Sequence, residues 1–204
     1  MNLRSILCIS SLALSSGVLQ TIAFADGPQM ATLDRLQAAY RSEMMAQTRY
    51  TAYATKADEE GYKQVANLFR AVARSEQIMY TNFYDAIKEI GGTPADVVTD
   101  PPPVGVTKEN LEKSANKTEL DQFDADFATY AKTARAEGNK TAAKVFEYAR
   151  AVELQNFRLI AAAEKNVEGM KGNPRGYYLC GVTGFVSPSM ESANCSSPDW
   201  ERVR

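Results

Sequence analysis

Residues 50–76 read YTAYATKADEEGYKQVANLFRAVARSE, and residues 127–153 read FATYAKTARAEGNKTAAKVFEYARAVE. A shift of 77 residues lays one stretch on the other. Tyr53 then meets Tyr130, Glu60 meets Glu137, Gly61 meets Gly138, Phe69 meets Phe146 and Glu76 meets Glu153. Tyr50 meets Phe127 and, just beyond, Tyr80 meets Phe157. Such an internal repeat is one supersecondary unit used twice. Residues 30–90 contain no proline and are rich in Ala, Leu, Met, Gln, Glu and Lys, all good helix formers. Apolar positions recur at helical spacing, at Leu33, Leu36, Tyr40 and Met44 and again at Val65, Leu68, Phe69 and Val72. The central glycine of each copy suits the left-handed residue that closes a helix. The unit is a helical hairpin.

Outward from the repeat, Gly91-Gly92 ends the first hairpin (30–90), and Thr93-Pro94 and Pro101-Pro102-Pro103 bar helix from a crossover at 91–106. Helix resumes at Thr107, runs unbroken to Gly138, and a fourth helix continues to about Glu168, giving a second hairpin at 107–169. Two hairpins joined by a long crossover make an all-α, ferritin-like four-helix bundle over residues 26–172, followed by a small tail at 173–204.

The chain has 204 residues, 45% hydrophobic and 24% charged, which is globular composition. Its formal net charge is −2, without the basic excess of a nucleic-acid binder. It has no histidine, which excludes Ser-His-Asp and Cys-His chemistry and any metal site that needs imidazole. Arg4 is the only charge before Asp26, and the weakly apolar stretch between them ends in Ala23-Phe24-Ala25, a signal-peptidase pattern. Residues 1–25 therefore read as a cleaved signal peptide, and the protein as exported, periplasmic or extracellular. An uncleaved anchor is the rival, disfavoured by Gln20 and five serines. No stable membrane span is expected after cleavage. Removal of Cys8 with the leader leaves Cys180 and Cys195, an even pair that in an oxidising compartment implies one disulfide; two free buried thiols are the alternative.

Helix arithmetic locates the acids. Glu43 lies 18 residues before Gly61 and Glu76 lies 15 after it. In the second hairpin Glu119 and Gln122 lie 19 and 16 residues before Gly138, and Glu153 lies 15 after. At about 1.5 Å per residue these groups share one level of the bundle to within about a turn. Like charges facing inward at one level need a cation, shared protons or a basic partner such as Arg49. The bland alternative is a set of surface glutamates on ordinary helices.

The segment Glu43-Met44-Met45-Ala46-Gln47-Thr48-Arg49-Tyr50 resembles the first ligand-bearing helix of the rubrerythrins, Glu60-Gly61-Tyr62 resembles their turn, and Thr107-Lys108-Glu109-Asn110-Leu111 resembles the start of their third helix. The resemblance implies a ferritin-like bundle, a homodimer, two iron ions and reduction of hydrogen peroxide. Carried over by residue, it implies metal ligands at Glu43, Glu76 and Glu153, and at Glu119. Gln122 stands where the family has a ligand glutamate, and Met79 stands where the Glu-x-x-His set of the second helix has histidine. The fourth helix reads Glu153-Leu154-Gln155-Asn156. In the tail, Tyr177 to Phe185 resembles the first knuckle of a rubredoxin domain and Asn194 to Pro198 the second, with Thr183 and Pro198 in place of two cysteines. Two sulfurs cannot make a four-thiolate iron site, so no rubredoxin-type iron is expected. The resemblance places Cys180 and Cys195 to bond each other.

The expected function is an exported rubrerythrin-like protein whose residual carboxylates (Glu43, Glu76, Glu119 and Glu153, with Gln122) bind a divalent metal such as iron or manganese without efficient peroxidase turnover. One alternative is an active all-oxygen metalloenzyme that reduces peroxide or oxygen. Another is a structural or partner-binding helical module, for which ten tyrosines and seven methionines offer adhesive surface. No residue pattern identifies an electron donor. Mass mapping of the exported protein without reductant is expected to show Cys180 linked to Cys195; free thiols at both positions would refute the pairing.

Overall fold

The computed structural model describes residues 29–100, 102–172, 174–190, 195 and 200–204. The signal-peptide expectation lies outside these residues, as do Asn194 and Ser196 to Pro198 of the second knuckle. Two long helices, α1 (Gln29–Glu59) and α2 (Lys63–Glu89), form the first hairpin. The crossover carries no regular structure among its described residues. The third rod of the bundle is split into α3 (Thr107–Ser114) and α4 (Lys117–Ala136), and α5 (Lys140–Lys165) closes the second hairpin. A short 3-10 turn (Glu168–Met170) leads to a small antiparallel sheet of order β2-β1-β3, with β1 Tyr177–Cys180, β2 Val186–Ser187 and β3 Trp200–Val203. The bundle is ferritin-like, and the sheet fits a rubredoxin-like tail. No helix among the described residues is long and apolar enough to cross a membrane.

The duplication read from sequence is reproduced atom for atom at the turns. Gly61 and Gly138 have φ of +80° and +81°. The Tyr62 N–H donates to Ala57 O at 2.8 Å, and the Asn139 N–H to Ala134 O at 2.8 Å. These are the six-to-one bonds of a helix closed by a left-handed glycine. Rings repeat as well. Tyr53 and Phe69 meet edge-on at 5.5 Å, and their counterparts Tyr130 and Phe146 at 5.6 Å.

The split in the third rod corrects the expectation of one continuous helix. Asn116 leaves the helical path and its side chain accepts the N–H groups of Thr118 and Glu119. An N-cap satisfies donors that a starting helix would otherwise orphan, so Asn116 favours a new start over continuation.

The apolar interior forms two blocks. One joins Tyr50, Tyr53, Val65, Leu68 and Phe69 to Leu111, Ile160 and the tail residues Tyr177, Leu179 and Val186. The other, the lower block if the first is taken as the upper, joins Leu36, Met79, Phe83 and Ile87 to Phe127, Phe146, Val152, Cys180 and Phe185. The positions between these blocks along α1, α2 and α5 are Glu43, Glu76 and Glu153.

A Cβ built on Gly61 meets no atom within 4 Å, so a side chain there suffers only from the positive φ. Gly61→Val is expected to lower the unfolding free energy by about 1–2 kcal/mol, read as an earlier urea midpoint, and Gly138→Val to do the same. An unchanged midpoint in both would contradict the turns described.

Candidate metal centre

Each acid reaches the interior for a local reason. Glu76 follows Val72 and Ala73 and precedes Met79 on the buried face of α2, and is 1% exposed. Glu43 lies between Tyr40 and Ala46 on the buried stripe of α1, and is 3% exposed. Glu153 follows the buried Val152 and Ala149 on α5 and is half-buried. The three helices bring one carboxylate oxygen from each residue within 4.8 Å of the others.

With all three ionised, the cluster lacks donors. Among the described residues, Glu43 Oε1 and Glu76 Oε2 are buried without a hydrogen-bond partner. Glu76 Oε1 accepts from Asn156 Nδ2 at 3.3 Å. The carbonyl oxygen of Asn156, itself buried on α5, also has no partner. Three acceptor oxygens on facing helices thus await either protons or a cation.

Electrostatics agrees. Burial, then the charge of Glu153, pushes Glu43 up to about 8. Burial, then the charges of Glu153 and Glu43, holds Glu76 well above the carboxylate range. Burial raises Glu153 too, opposed by hydrogen bonding to Glu76 and by the Arg49 charge. All three carboxyls are thus pushed toward the protonated form, with burial the leading cause for each.

Glu119 and Gln122 do not join them. Both are exposed; Glu119 stands on the wall of the cavity, and Gln122 donates to Asp126 at 3.0 Å on the outer face of α4. The reason is helical phase. A shift of 77 residues from Glu43 lands on Leu120, which lines the cavity, and not on Glu119. A slip of one residue turns a side chain by about 100° about the helix axis. Met79, where the resemblance implies a histidine, is fully buried in the lower apolar block with Phe83 and Leu36.

Two contributors went unread in the sequence. Asn156 holds Glu76, and Ser114 and Asn116 at the break in the third rod line the cavity. Asn116-Lys117-Thr118-Glu119 carries the spacing of a capping box, an N-cap residue followed three positions later by Glu, which marks a helix start. No comparable signal marks Asn156.

A cavity of about 250 Å³ opens onto the three acids between α1, α5 and the break at Ala115–Asn116. Arg49 and Tyr50 of α1 flank it, the guanidinium 5.2 Å from the Tyr50 ring. Divalent ions take oxygen ligands at about 2.0–2.6 Å, so ligand atoms on opposite sides of one ion lie about 4–5 Å apart. The spread of 4.8 Å fits one hard ion held by three carboxylates, with the Asn156 carbonyl and solvent able to complete its shell.

In the tail, Cys180 and Cys195 form a disulfide with Cα atoms 5.7 Å apart. Thr183 Oγ1, at the position of a family cysteine, accepts from the Phe185 N–H at 3.3 Å.

The rubrerythrin family model matches residues 34–165. Rubrerythrin-1 of Clostridium acetobutylicum is 33% identical over 148 residues, spanning 69% of this chain and 73% of that protein. Nigerythrin of Nitratidesulfovibrio vulgaris is 28% identical over 164 residues, 80% of each chain. A structure of fully reduced, all-ferrous nigerythrin superposes with a TM-score of 0.68 at 26% identity, covering 92% of this chain and 90% of the other. A bacterioferritin from Desulfovibrio desulfuricans shares the fold, with a TM-score of 0.60 at 20% identity over 72% of this chain and 90% of that one.

The raised carboxyls make stability pH-dependent. Between the ordinary value of 4.5 and the folded value of about 8 for Glu43, the folded protein holds protons that the unfolded chain releases. This stabilisation is complete below the unfolded value and is lost as pH rises through the folded one. Chelator-treated protein is therefore expected to melt at a lower temperature at pH 8 than at pH 5, and Glu76→Gln to flatten the fall. A melting temperature that rises across this window would refute the buried cluster.

Proposed function

The chain belongs to the rubrerythrin family, and on that premise we propose that its bundle holds one divalent cation, iron or manganese, in a reduced carboxylate site and does not sustain efficient peroxide turnover. The convergence of Glu43, Glu76 and Glu153, with unpartnered acceptor oxygens on Glu43, Glu76 and Asn156, carries this reading. A donor set of carboxylate, amide and water oxygens suits hard ions. A bound ion would offset two of the three negative charges, with the Arg49 charge nearby, and would supply Lewis-acid or one-electron chemistry at the cavity.

The chain's own residues prepare that site. Asn156 donates to Glu76 Oε1 and fixes which face of the carboxylate turns to the centre. Arg49 draws the cluster toward ionisation by its charge. Glu43, Glu76 and Glu153, which burial holds toward the protonated form, would have to release their protons to hold a cation. Cation binding therefore tightens as pH rises. The reading adds four properties: export to the periplasm or beyond, cleavage after Ala25, a homodimer, and a tail whose paired sulfurs leave no thiolate for iron. Ala23-Phe24-Ala25 and the disulfide support export. Met45 and Val98, 57% and 90% exposed on one groove, support a covering partner copy.

A second reading is a working peroxide- or oxygen-reducing oxidoreductase fed by an external reductant. The cavity favours it, because a small oxidant has room beside the acids.

Protein purified without chelators is expected to carry about one equivalent of iron or manganese per chain, with Glu76→Gln lowering affinity tenfold or more. Its peroxide consumption is expected to equal that of Glu76→Gln. Two equivalents of metal with consumption that depends on Glu76 would establish the second reading instead. A metal-free protein whose melting ignores both chelator and added Mn²⁺ would overturn both.

A further inference from the structure

We propose that the disulfide-closed tail sets the cation affinity of the carboxylate cluster, with Ser75 as the positioning residue that links the two. The inference rests on the single-cation reading above and adds a thiol–disulfide control to it.

The link is a continuous chain of buried groups. Cys180 ends β1, is fully buried, and starts a turn closed by two backbone bonds: Gly184 N–H to Cys180 O at 2.8 Å and Cys180 N–H to Phe185 O at 3.0 Å. Gly184, with φ of +80°, sits so close to α2 that a Cβ on it would lie 3.0 Å from the Ser75 carbonyl oxygen. Its own carbonyl accepts the Ser75 hydroxyl at 2.6 Å. Having given its one proton to the tail, the Ser75 oxygen is free to accept, and it receives Asn156 Nδ2 at 3.4 Å. The same nitrogen donates to Glu76 Oε1 at 3.3 Å. Ser75 is fully buried and Asn156 is 1% exposed, so water does not replace these partners.

A serine hydroxyl has a single proton, and its direction decides which neighbours its oxygen can serve. While the Gly184 carbonyl stays in place, Ser75 accepts from Asn156 and the amide holds Glu76. If the carbonyl withdraws, the hydroxyl turns to a carbonyl of its own helix, as mid-helix serines do, and Asn156 loses its second anchor. The Cys180–Cys195 bond pins one end of the turn across a separation of 15 residues. Reduction by an external dithiol passes two electrons and two protons to this bond. The S–S bond breaks, two thiols form, and the dithiol closes to its own disulfide. Cys180 and the turn that it starts then lose their covalent tie to Cys195.

The test uses the full oxidised chain and Mn²⁺ as the probe, with affinity read by electron paramagnetic resonance. After treatment with a dithiol and its removal without oxygen, Mn²⁺ is expected to bind about tenfold more weakly, the usual scale for losing support behind a ligand. Linkage is reciprocal, so saturating Mn²⁺ should shift the disulfide midpoint potential by about 30 mV to the negative side. Ser75→Ala should weaken binding in the oxidised protein by a similar factor and remove its dependence on thiol state. Mn²⁺ affinity that is equal in the two thiol states would overturn this proposal and leave the single-cation reading standing. No Mn²⁺ binding in either state would overturn both. Dependence on thiol state that persists in Ser75→Ala would remove Ser75 from the link. The potential shift needs no variant, and it decides the matter if Ser75→Ala does not fold.

Discussion

Three carboxylates converge at one largely buried level of this bundle, and the rest of the structure is arranged around the cost of putting them there. Charged oxygens leave water at a cost of several kcal/mol each unless protons, donors or a cation replace it. Here the Asn156 amide donates to the cluster, and among the described residues two of its oxygens have no donor. The polar level lies between two well-packed apolar blocks, where ring contacts such as Phe83 with Phe146 and Tyr50 with Phe69 hold the helices rigid. A loose bundle would let the glutamates swing out to solvent. The packing on either side denies them that escape, so their proton and cation chemistry follows from the core.

Duplication explains both what converges and what does not. Gly61 and Gly138 close equivalent turns with equivalent hydrogen bonds, and the acid fifteen residues past each, Glu76 or Glu153, arrives at the centre. The symmetry fails on the other rod of the second hairpin. The counterpart of Glu43 is Leu120, and the neighbouring Glu119, about 100° away around the helix, stands exposed on the cavity wall outside the cluster. The same rod breaks at Asn116, and that break forms one wall of the cavity over the acids. One hairpin thus contributes two carboxylates to the cluster and its copy one.

The tail adds a separate constraint. Its small sheet leans on α2 through backbone carbonyls, Val182 taking the Asn82 amide and Gly184 the Ser75 hydroxyl. Cys180 and Phe185 belong to the lower apolar block and Leu179 and Val186 to the upper one, so the tail touches both sides of the polar level. Through Ser75 and Asn156 the Gly184 turn is linked by hydrogen bonds to Glu76.

The sequence alone determined the hairpin repeat, the glycine-closed turns, the proline-barred crossover and the level at which Glu43, Glu76 and Glu153 lie. These follow from local rules: helix formers in register, a left-handed glycine, and a fixed rise per residue. It also carried the break at Asn116, as a capping-box spacing that was legible but unread. Tertiary structure alone decided which acids turn inward, because a one-residue slip changes a helix's facing without changing its level. It alone placed Asn156 against Glu76 and Ser75 against Gly184, pairs separated by 80 and 109 residues. No local pattern encodes such contacts; they exist only once the rods have packed and the tail has docked.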